Sequence, residues 1–270
     1  MPDTTAVVPC FDYGRYLAEA VASLLAQDPD PPRVVVADDG STEPETLAAL
    51  DALPDEVELL RLPNGGVARA RNAGAARADT PFVLFLDADD RLAPDALRVL
   101  GRALESHPDA GFAYGDQRFF GDWEGEMRFP PYDPLRLLDR HLIGPTALMR
   151  RELLDDTGGY DPAFALYEDW EMWLAALAAG WSGVHVARIT HEYRQHGTSK
   201  LSTDRRLYRD FRRQAMTKHP ALYANRRGLA AQSDMAAAQR LLYRWFWGPR
   251  PLPAAVESWA ARVLLSGSSG

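Results

Sequence analysis

Apolar runs of strand length alternate with helix-length amphipathic stretches through the first hundred residues. The runs at residues 5–9, 33–37, 57–60 and 81–86 are short, apolar and bounded by turn residues, which predicts buried strands. Between them, residues 16–26 place Leu17, Ala20, Val21, Leu24 and Leu25 on one helical stripe, residues 67–78 and 95–106 repeat that design, and another helix begins near Pro44. This alternation is the pattern of βα units around a mostly parallel sheet. Each strand then delivers its following loop to one edge of the sheet, the edge where open α/β sheets bind ligands.

Beyond residue 110 the periodicity loosens. Residues 111–116 read as a strand and residues 119–134, rich in Gly, Pro and aromatics, as loops and edge strands. A helix is clear again at 168–180, with Trp170, Trp173, Leu174 and Leu177 at i, i+3, i+4 and i+7 and Gly180 as its stop. Further helices are expected at 205–217, 229–245 and 254–265, broken at His219-Pro220 and at Gly248-Pro-Arg-Pro-Leu-Pro253; residues 266–270 have flexible-tail composition.

At 270 residues the chain can bury a substantial core without staples. Its one cysteine, Cys10, excludes an intrachain disulfide and a multi-cysteine zinc site and fits a reducing compartment. No run approaches the roughly 18 apolar residues of a membrane span, and Met1-Pro-Asp-Thr-Thr5 lacks the head of a secretory signal, so a soluble, cytoplasmic protein is expected. Charge is unevenly placed: 15 Arg face 33 Asp and Glu through residue 187, whereas 14 Lys and Arg face 4 acids from 188 to 250. An acidic body of this kind is not built to coat nucleic acid by counterion release. In the basic tail, Arg240-Leu-Leu-Tyr-Arg-Trp-Phe-Trp-Gly-Pro-Arg250 mixes arginine with interfacial aromatics. It suits peripheral contact with the inner face of an anionic membrane, or Trp245 and Trp247 packing on the body or on a partner.

The candidate chemistry collects in the loops at the sheet edge. Asp87-Ala-Asp89 follows a buried strand, so its two carboxylates are held rather than floating; Mg²⁺ or Mn²⁺ takes one or two such carboxylates and completes its shell with water and phosphate oxygens. Asp90 and Asp95 read as helix caps. Asp38 and Asp39 can accept hydrogen bonds from a ribose or from the N3–H of uracil or thymine, although Asp38-Asp-Gly-Ser-Thr42 also reads as a turn capping the next helix. Asn64-Gly-Gly66 opens a helix with Arg71 one turn in, and both features favour an anionic oxygen, as of a diphosphate. Arg69 and Arg77 read as solvated. Glu168-Asp169 opens the Trp-rich helix, where acids complement the helix dipole or supply a base. His191 and His196 are five apart, about 140° around a helix, and would not share a face as paired metal ligands do. His191 reads as structural, and His196 as able to reach a phosphate or metal from a loop.

Taken in order, Val7-Val-Pro-Cys-Phe-Asp12, Asp38-Asp-Gly-Ser41, Asn64-x-Gly66 with Ala70-Arg71-Asn72-x-Gly74, Phe85-Leu-Asp-Ala-Asp-Asp90, Gly158-Gly-Tyr-Asp161 and Glu168-Asp-Trp170 resemble the family 2 glycosyltransferases, over roughly residues 4–200. The resemblance implies a GT-A fold over residues 1–200, with a nucleotide-sugar-binding half (1–110) running into an acceptor half (111–200), followed by a helical extension at 201–265. It implies inverting transfer from a nucleotide-diphosphate sugar, UDP- or dTDP-linked, to an acceptor hydroxyl on a saccharide, a lipid-linked saccharide or a small molecule. Carried onto this chain, Phe11 lies against the base, with Pro9, Asn64, Gly66 and Ala88 lining the donor site and Asp38 or Asp39 on base or ribose. Arg71 is near the base or diphosphate, and Asp87 faces the ribose. Asp89, the second acid of the DXD motif, binds metal with Asp87 and His196 as further candidates, and Asp169 of the Glu168-Asp169 pair is the base. Asp12 departs from the asparagine usual in the first loop.

Two other readings are weighed. A sugar-phosphate nucleotidyltransferase wants an N-terminal Gly-rich loop with a basic residue, and here the first loop is Pro9-Cys-Phe-Asp-Tyr-Gly-Arg15 and no lysine precedes Lys200. A non-catalytic nucleotide-sugar-binding module would be signalled by loss of Asp89 or Asp169, and both are present.

Overall fold

Seven consecutive residues with no exposed side chain, Thr4–Cys10, form the first strand, and their burial on both faces is what a strand flanked by helices on either side requires. The structure is a computed structural model that describes residues 3–197, 205–237 and 239–240. In chain order the elements are β1 (Thr4–Cys10), α1 (Gly14–Leu25), β2 (Arg33–Asp38), α2 (Pro44–Asp51), β3 (Glu58–Arg61), α3 (Val67–Ala75), β4 (Phe82–Phe85), β5 (Arg91–Leu92), α4 (Ala96–Ser106) and β6 (Ala110–Gly121). They continue with β7 (Gly125–Met127), α5 (Pro134–Leu137), β8 (Leu148–Arg150), α6 (Arg151–Thr157), α7 (Glu168–Ala178), β9 (Ser182–Gln195), α8 (Arg205–Lys218), α9 (Pro220–Ala224) and α10 (Arg226–Gln232).

The chain divides into two units. The first, residues 3–132 and 141–219, holds a nine-stranded sheet of order β3-β2-β1-β4-β8-β6-β9-β5, with β7 paired to β6. Strands β1 to β4 are mutually parallel, as the βα pattern predicts. Strand β8 enters antiparallel to both β4 and β6, and turns the parallel half into a mixed sheet. On one face Ala6 and Val8 join Leu17, Val21 and Leu24 of α1 and Leu97, Leu100 and Leu104 of α4 in one apolar core. On the other face α3 lies so close to β1 that a Cβ at Gly74 would sit 2.3 Å from Val7 Cγ1, so only glycine fits there. At the far end Trp173 of α7 stacks on Phe112 of β6 at 4.4 Å, and Trp170 stacks on Phe211 of α8 at 4.3 Å. Glu171 of α7, fully buried, meets His219 Nε2 and Lys218 Nζ, each at 2.8 Å, and fixes the end of α8.

The second unit, residues 133–140 and 220 onward, contains α5, α9 and α10. Asp133 caps α5 through the N–H groups of Leu135 and Arg136 and accepts from Ser233, while Arg226 pairs with the buried Asp139.

Several expectations are corrected. Residues 182–195 carry no clean alternation, yet form the longest strand among the described residues. Its register against β6 shifts between Ala110 and Phe112, between Gly115 and Asp116 and between Asp116 and Gln117, and a shift by one residue reverses which face a side chain takes. The strand expected at 111–116 runs on to Gly121, because β9 pairs along its whole length. The helix expected at 229–245 is interrupted: α10 ends at Gln232, and Ser233, in extended conformation, stops it. Asp95 and Asp90 cap nothing with their side chains; Asp95 binds Arg98 and Arg188, and Asp90 is drawn into the interior. The helix expected at 254–265 and residues 241–250 of the arginine–aromatic segment lie outside the described residues. Among the described residues no helix is long and apolar enough to cross a membrane.

Candidate active site

The C-terminal ends of β1, β2 and β4 bring the acidic loops to one edge. Asp38 ends β2 and is buried, its Oδ1 accepting from Ser41 N at 3.0 Å. Asp39, the next residue, receives Gly65 N on Oδ1 and Gly66 N on Oδ2, each at 2.8 Å, while its carbonyl takes Asn64 Nδ2. The anion favoured by the start of α3 is thus partly supplied from within: the carboxylate of Asp39 holds the Asn64-Gly-Gly66 loop. Gly66, with φ of 89°, occupies a backbone conformation that an L side chain would strain. Asp12 is a second staple, since its Oδ1 accepts from Thr42 N at 2.8 Å and Glu43 N at 2.9 Å and closes the start of α2. Pro9 is buried in β1, whereas Phe11 stands 45 % exposed at the loop tip, an apolar face left open beside the acids.

Arg71 is the node of the site. Projecting from α3 with 2 % exposure, its guanidinium donates to Asp87 Oδ1 at 2.7 Å and to Glu168 Oε1 at 2.8 Å, and lies 5.1 Å from the centre of the Tyr160 ring. Burial disfavours its charge, but Asp87, Tyr160 and Glu168 outweigh burial and hold the guanidinium protonated. Tyr160 is fixed by Asn72, whose amide receives Tyr160 N at 2.8 Å and donates to Tyr160 O at 2.7 Å. Two motifs separated by more than eighty residues, Ala70-Arg71-Asn72 and Gly158-Gly-Tyr-Asp161, therefore form one clamp.

Beyond Asp87, the buried Ala88 turns the chain and Asp89 Oδ2 meets His196 Nε2 at 2.9 Å. Burial and the neighbouring Asp87 charge raise the Asp89 carboxyl above its usual range, against the pull of His196. The His196 ring packs on Tyr16 at 4.9 Å and Tyr13 at 5.6 Å. Asp90, buried, accepts His191 Nε2 and Arg194 N, each at 2.8 Å, and burial pushes its carboxyl up to about 6 despite His191. His191 is structural, its other ring nitrogen 2.9 Å from Gln117 Nε2. Arg194 Nε donates to the Asp89 carbonyl at 2.7 Å, so the end of β9 holds the acidic loop by backbone as well as side chain.

Asp89 and His196 form an oxygen and nitrogen donor pair, and among the described residues no cluster of three or more His, Cys, Asp or Glu is arranged to hold a metal. One or two carboxylates completed by water and diphosphate oxygens are what a divalent cation of the Mg²⁺ or Mn²⁺ type takes, so Asp89 fits such an ion, with the His196 nitrogen as a softer second donor. Asp87, the third candidate, gives Oδ1 to Arg71.

Glu168 and Asp169 open α7 directly after Tyr167, whose φ of 59° is a left-handed conformation rare for a bulky residue. The two acids are pushed apart. Burial raises Glu168 above the usual range, against Arg71. Burial opposes the charge on Asp169 as well, but His141 and Arg71 outweigh it and lower its carboxyl. The adjacent carboxyls are thus shifted in opposite directions, Glu168 up and Asp169 down. His141, 2.8 Å from Asp169 Oδ2 through Nε2, was not anticipated from the sequence. A lone histidine in a loop has no periodicity or spacing to flag it; only the fold brings it to an acid 28 positions away.

A sequence model of glycosyl transferase family 2 matches residues 5–169, which include all of these acids. The chain belongs to glycosyl transferase family 2. It is 23 % identical to the glycosyltransferase GlyA of Streptococcus pneumoniae, over 98 % of this chain and 35 % of that protein. It is 31 % identical to the succinoglycan biosynthesis protein ExoO of Rhizobium meliloti, over 67 % of this chain and 57 % of that protein. The chain thus spans between about a third and three fifths of the length of these two relatives. The crystal structure of S. aureus TarS 1–349 in complex with UDP-GlcNAc superposes with a TM-score of 0.68 at 20 % identity, covering 88 % of this chain and 69 % of that one. The mixed α/β architecture is that of the GT-A fold.

Proposed function

We propose that this chain transfers a sugar from a nucleotide-diphosphate sugar, UDP-linked by preference, to an acceptor hydroxyl with inversion at the anomeric carbon. The observation that supports the reading is the Arg71 node: one buried cation ties the Asp87 end of the acidic loop to Glu168, the neighbour of Asp169. TarS, a relative in fold, has been crystallised with UDP and with UDP-GlcNAc, which supports a nucleotide-sugar donor here.

In this reading the exposed ring of Phe11 covers one face of the base and Asp38 accepts from base or ribose, with Pro9, Asn64, Gly66 and Ala88 as walls. Asp39 acts indirectly, by shaping the Asn64-Gly-Gly66 loop. Asp87 faces the ribose. Asp89 and His196 would hold a Mg²⁺ or Mn²⁺ ion, which when bound offsets negative charge on the diphosphate. Asp169 takes the proton as the acceptor O–H bond breaks and its oxygen forms the new bond to the anomeric carbon. The carbon–oxygen bond to the diphosphate breaks with its electron pair leaving on the diphosphate, and no covalent enzyme intermediate is formed.

Calorimetric titration of UDP, dTDP and GDP into wild type and Asp89→Ala, with and without Mn²⁺, tests the reading. Metal-dependent binding of one nucleotide that is lost in the variant is expected. Failure of every diphosphate to bind under either condition would overturn the reading in favour of a module without transferase activity.

A further inference from the structure

His141 belongs to no motif, yet the fold fixes its ring through contacts with α7 and its flanking residues. It sits at the start of the loop that runs to β8, and this loop is pinned where Trp173 Nε1 of α7 donates to the Ile143 carbonyl at 3.0 Å. Its ring stacks nearly parallel to that of Trp170, at 18° and 6.0 Å, and meets the Tyr167 ring edge-on at 5.8 Å. These contacts leave Nε2 2.8 Å from Asp169 Oδ2, while the Trp170 N–H donates to Oδ1 at 2.8 Å. Both carboxylate oxygens are thereby fixed in direction, one by the start of α7 and one by the imidazole.

We propose that His141 is the positioning residue of the base: it orients the Asp169 carboxylate and keeps it ionised until the acceptor hydroxyl gives up its proton. The inference rests on the reading of Asp169 as base. Other charged and titratable groups bear on the pair from neighbouring elements: Glu168 beside it on α7, Arg71 from α3, and Tyr160 and Asp87 near Arg71. Arg71 acts on Asp169 in the same sense as His141, and Glu168 supports the charge on His141. Burial alone would discharge the imidazole; Asp169 and Glu168 reverse this and raise it above its ordinary range. A histidine that only filled space would not need the Nε2 contact to Asp169.

Two measurements on the full chain decide the matter. In the first, the imidazole ¹⁵N signals are titrated by NMR in wild type and Asp169→Asn. His141 is expected to titrate above an ordinary histidine and to fall back in the variant; a midpoint at or below the ordinary value, unmoved by Asp169→Asn, overturns the proposal. In the second, UDP release from UDP-GlcNAc, with water as acceptor, is followed against pH for wild type, His141→Ala and His141→Asn. The asparagine is the variant that retains an N–H donor and the fold. Loss of kcat on the order of tenfold or more is expected for alanine, with partial rescue by asparagine and little change in KM. The acid limb of the profile should move to higher pH in both variants, because Asp169 loses the charge that lowers its carboxyl. Equal loss in both variants with an unmoved acid limb would mean a packing role and overturn the proposal. Should wild type bind no UDP and release none, the donor reading fails, and the imidazole titration still decides the His141–Asp169 coupling.

Discussion

Replacing Arg71 by methionine keeps an unbranched apolar stem and removes the guanidinium, with its charge and its two hydrogen bonds to Asp87 and Glu168. Arg71 is 2 % exposed, and its partners Asp87 and Glu168 are 30 % and 15 % exposed. Removing one member of a buried ion pair costs about 3–5 kcal/mol, because the remaining charge is left without compensation. Water still reaches part of both carboxylates, so the lower end, about 3 kcal/mol, is expected. That is a large share of the roughly 5–15 kcal/mol by which a domain is stable. With a urea m-value of about 3 kcal/mol/M it moves the unfolding midpoint by about 1 M. The loss also depends on pH. Burial already raises Glu168 above its unfolded value, and without Arg71 it rises further. An acid with a higher pKa folded than unfolded binds extra protons in the folded state, so stability falls as pH rises through that window. The deficit of Arg71→Met should therefore be larger at pH 8 than at pH 5, and adding Glu168→Gln should recover part of it. Urea unfolding of the wild type, the single variants and the double variant at both pH values measures this directly. A midpoint within about 0.2 M of wild type, or a deficit indifferent both to pH and to Glu168→Gln, would refute the account of Arg71 as the charge that holds the two acids together.

Asp39→Asn turns one of the two oxygens that receive Gly65 N and Gly66 N into a donor, leaving an N–H unpaired. A loss of about 1–3 kcal/mol is expected, read as a fall in Tm, with weaker nucleotide binding as the Asn64-Gly-Gly66 loop loosens. Asp12 accepts through one oxygen only, so Asp12→Asn should cost little and Asp12→Ala about 1 kcal/mol, compared by urea midpoints. Equal losses in the two Asp12 variants would show that the carboxylate charge, and not the staple, is what matters.

The parallel half of the sheet was legible because β1, β2 and β4 are apolar runs between turn signals and the helix between two strands has one apolar stripe; β3, Glu58-Leu-Leu-Arg61 at the sheet edge, is only half-buried. The loops that follow were legible for the same reason: a buried strand fixes where its C-terminal acid must go. The antiparallel additions were not. Strand β8 is three residues long and runs directly into α6, giving periodicity nothing to act on. Strand β9 is mostly half-buried and slips register against β6, so its side chains never settle into alternation. Within the site, Asp38, Asp87, Asp89, Glu168 and Asp169 were flagged by position after a strand or before a helix. What sequence could not supply was pairing: that Asp39 would be spent on its own loop, that Arg71 would serve two acids, and that a solitary His141 would face Asp169.

The sharing of one guanidinium has a consequence for how this pocket can diversify. Because Asp87 and Glu168 both depend on Arg71, a change at position 71 strands two acids at once, and a change at either acid leaves the cation with half its partners. No single substitution leads from this arrangement to an apolar one without passing through an unpaired interior charge. The three charged residues can therefore change only together, and any adaptation of the pocket falls to side chains outside this triad.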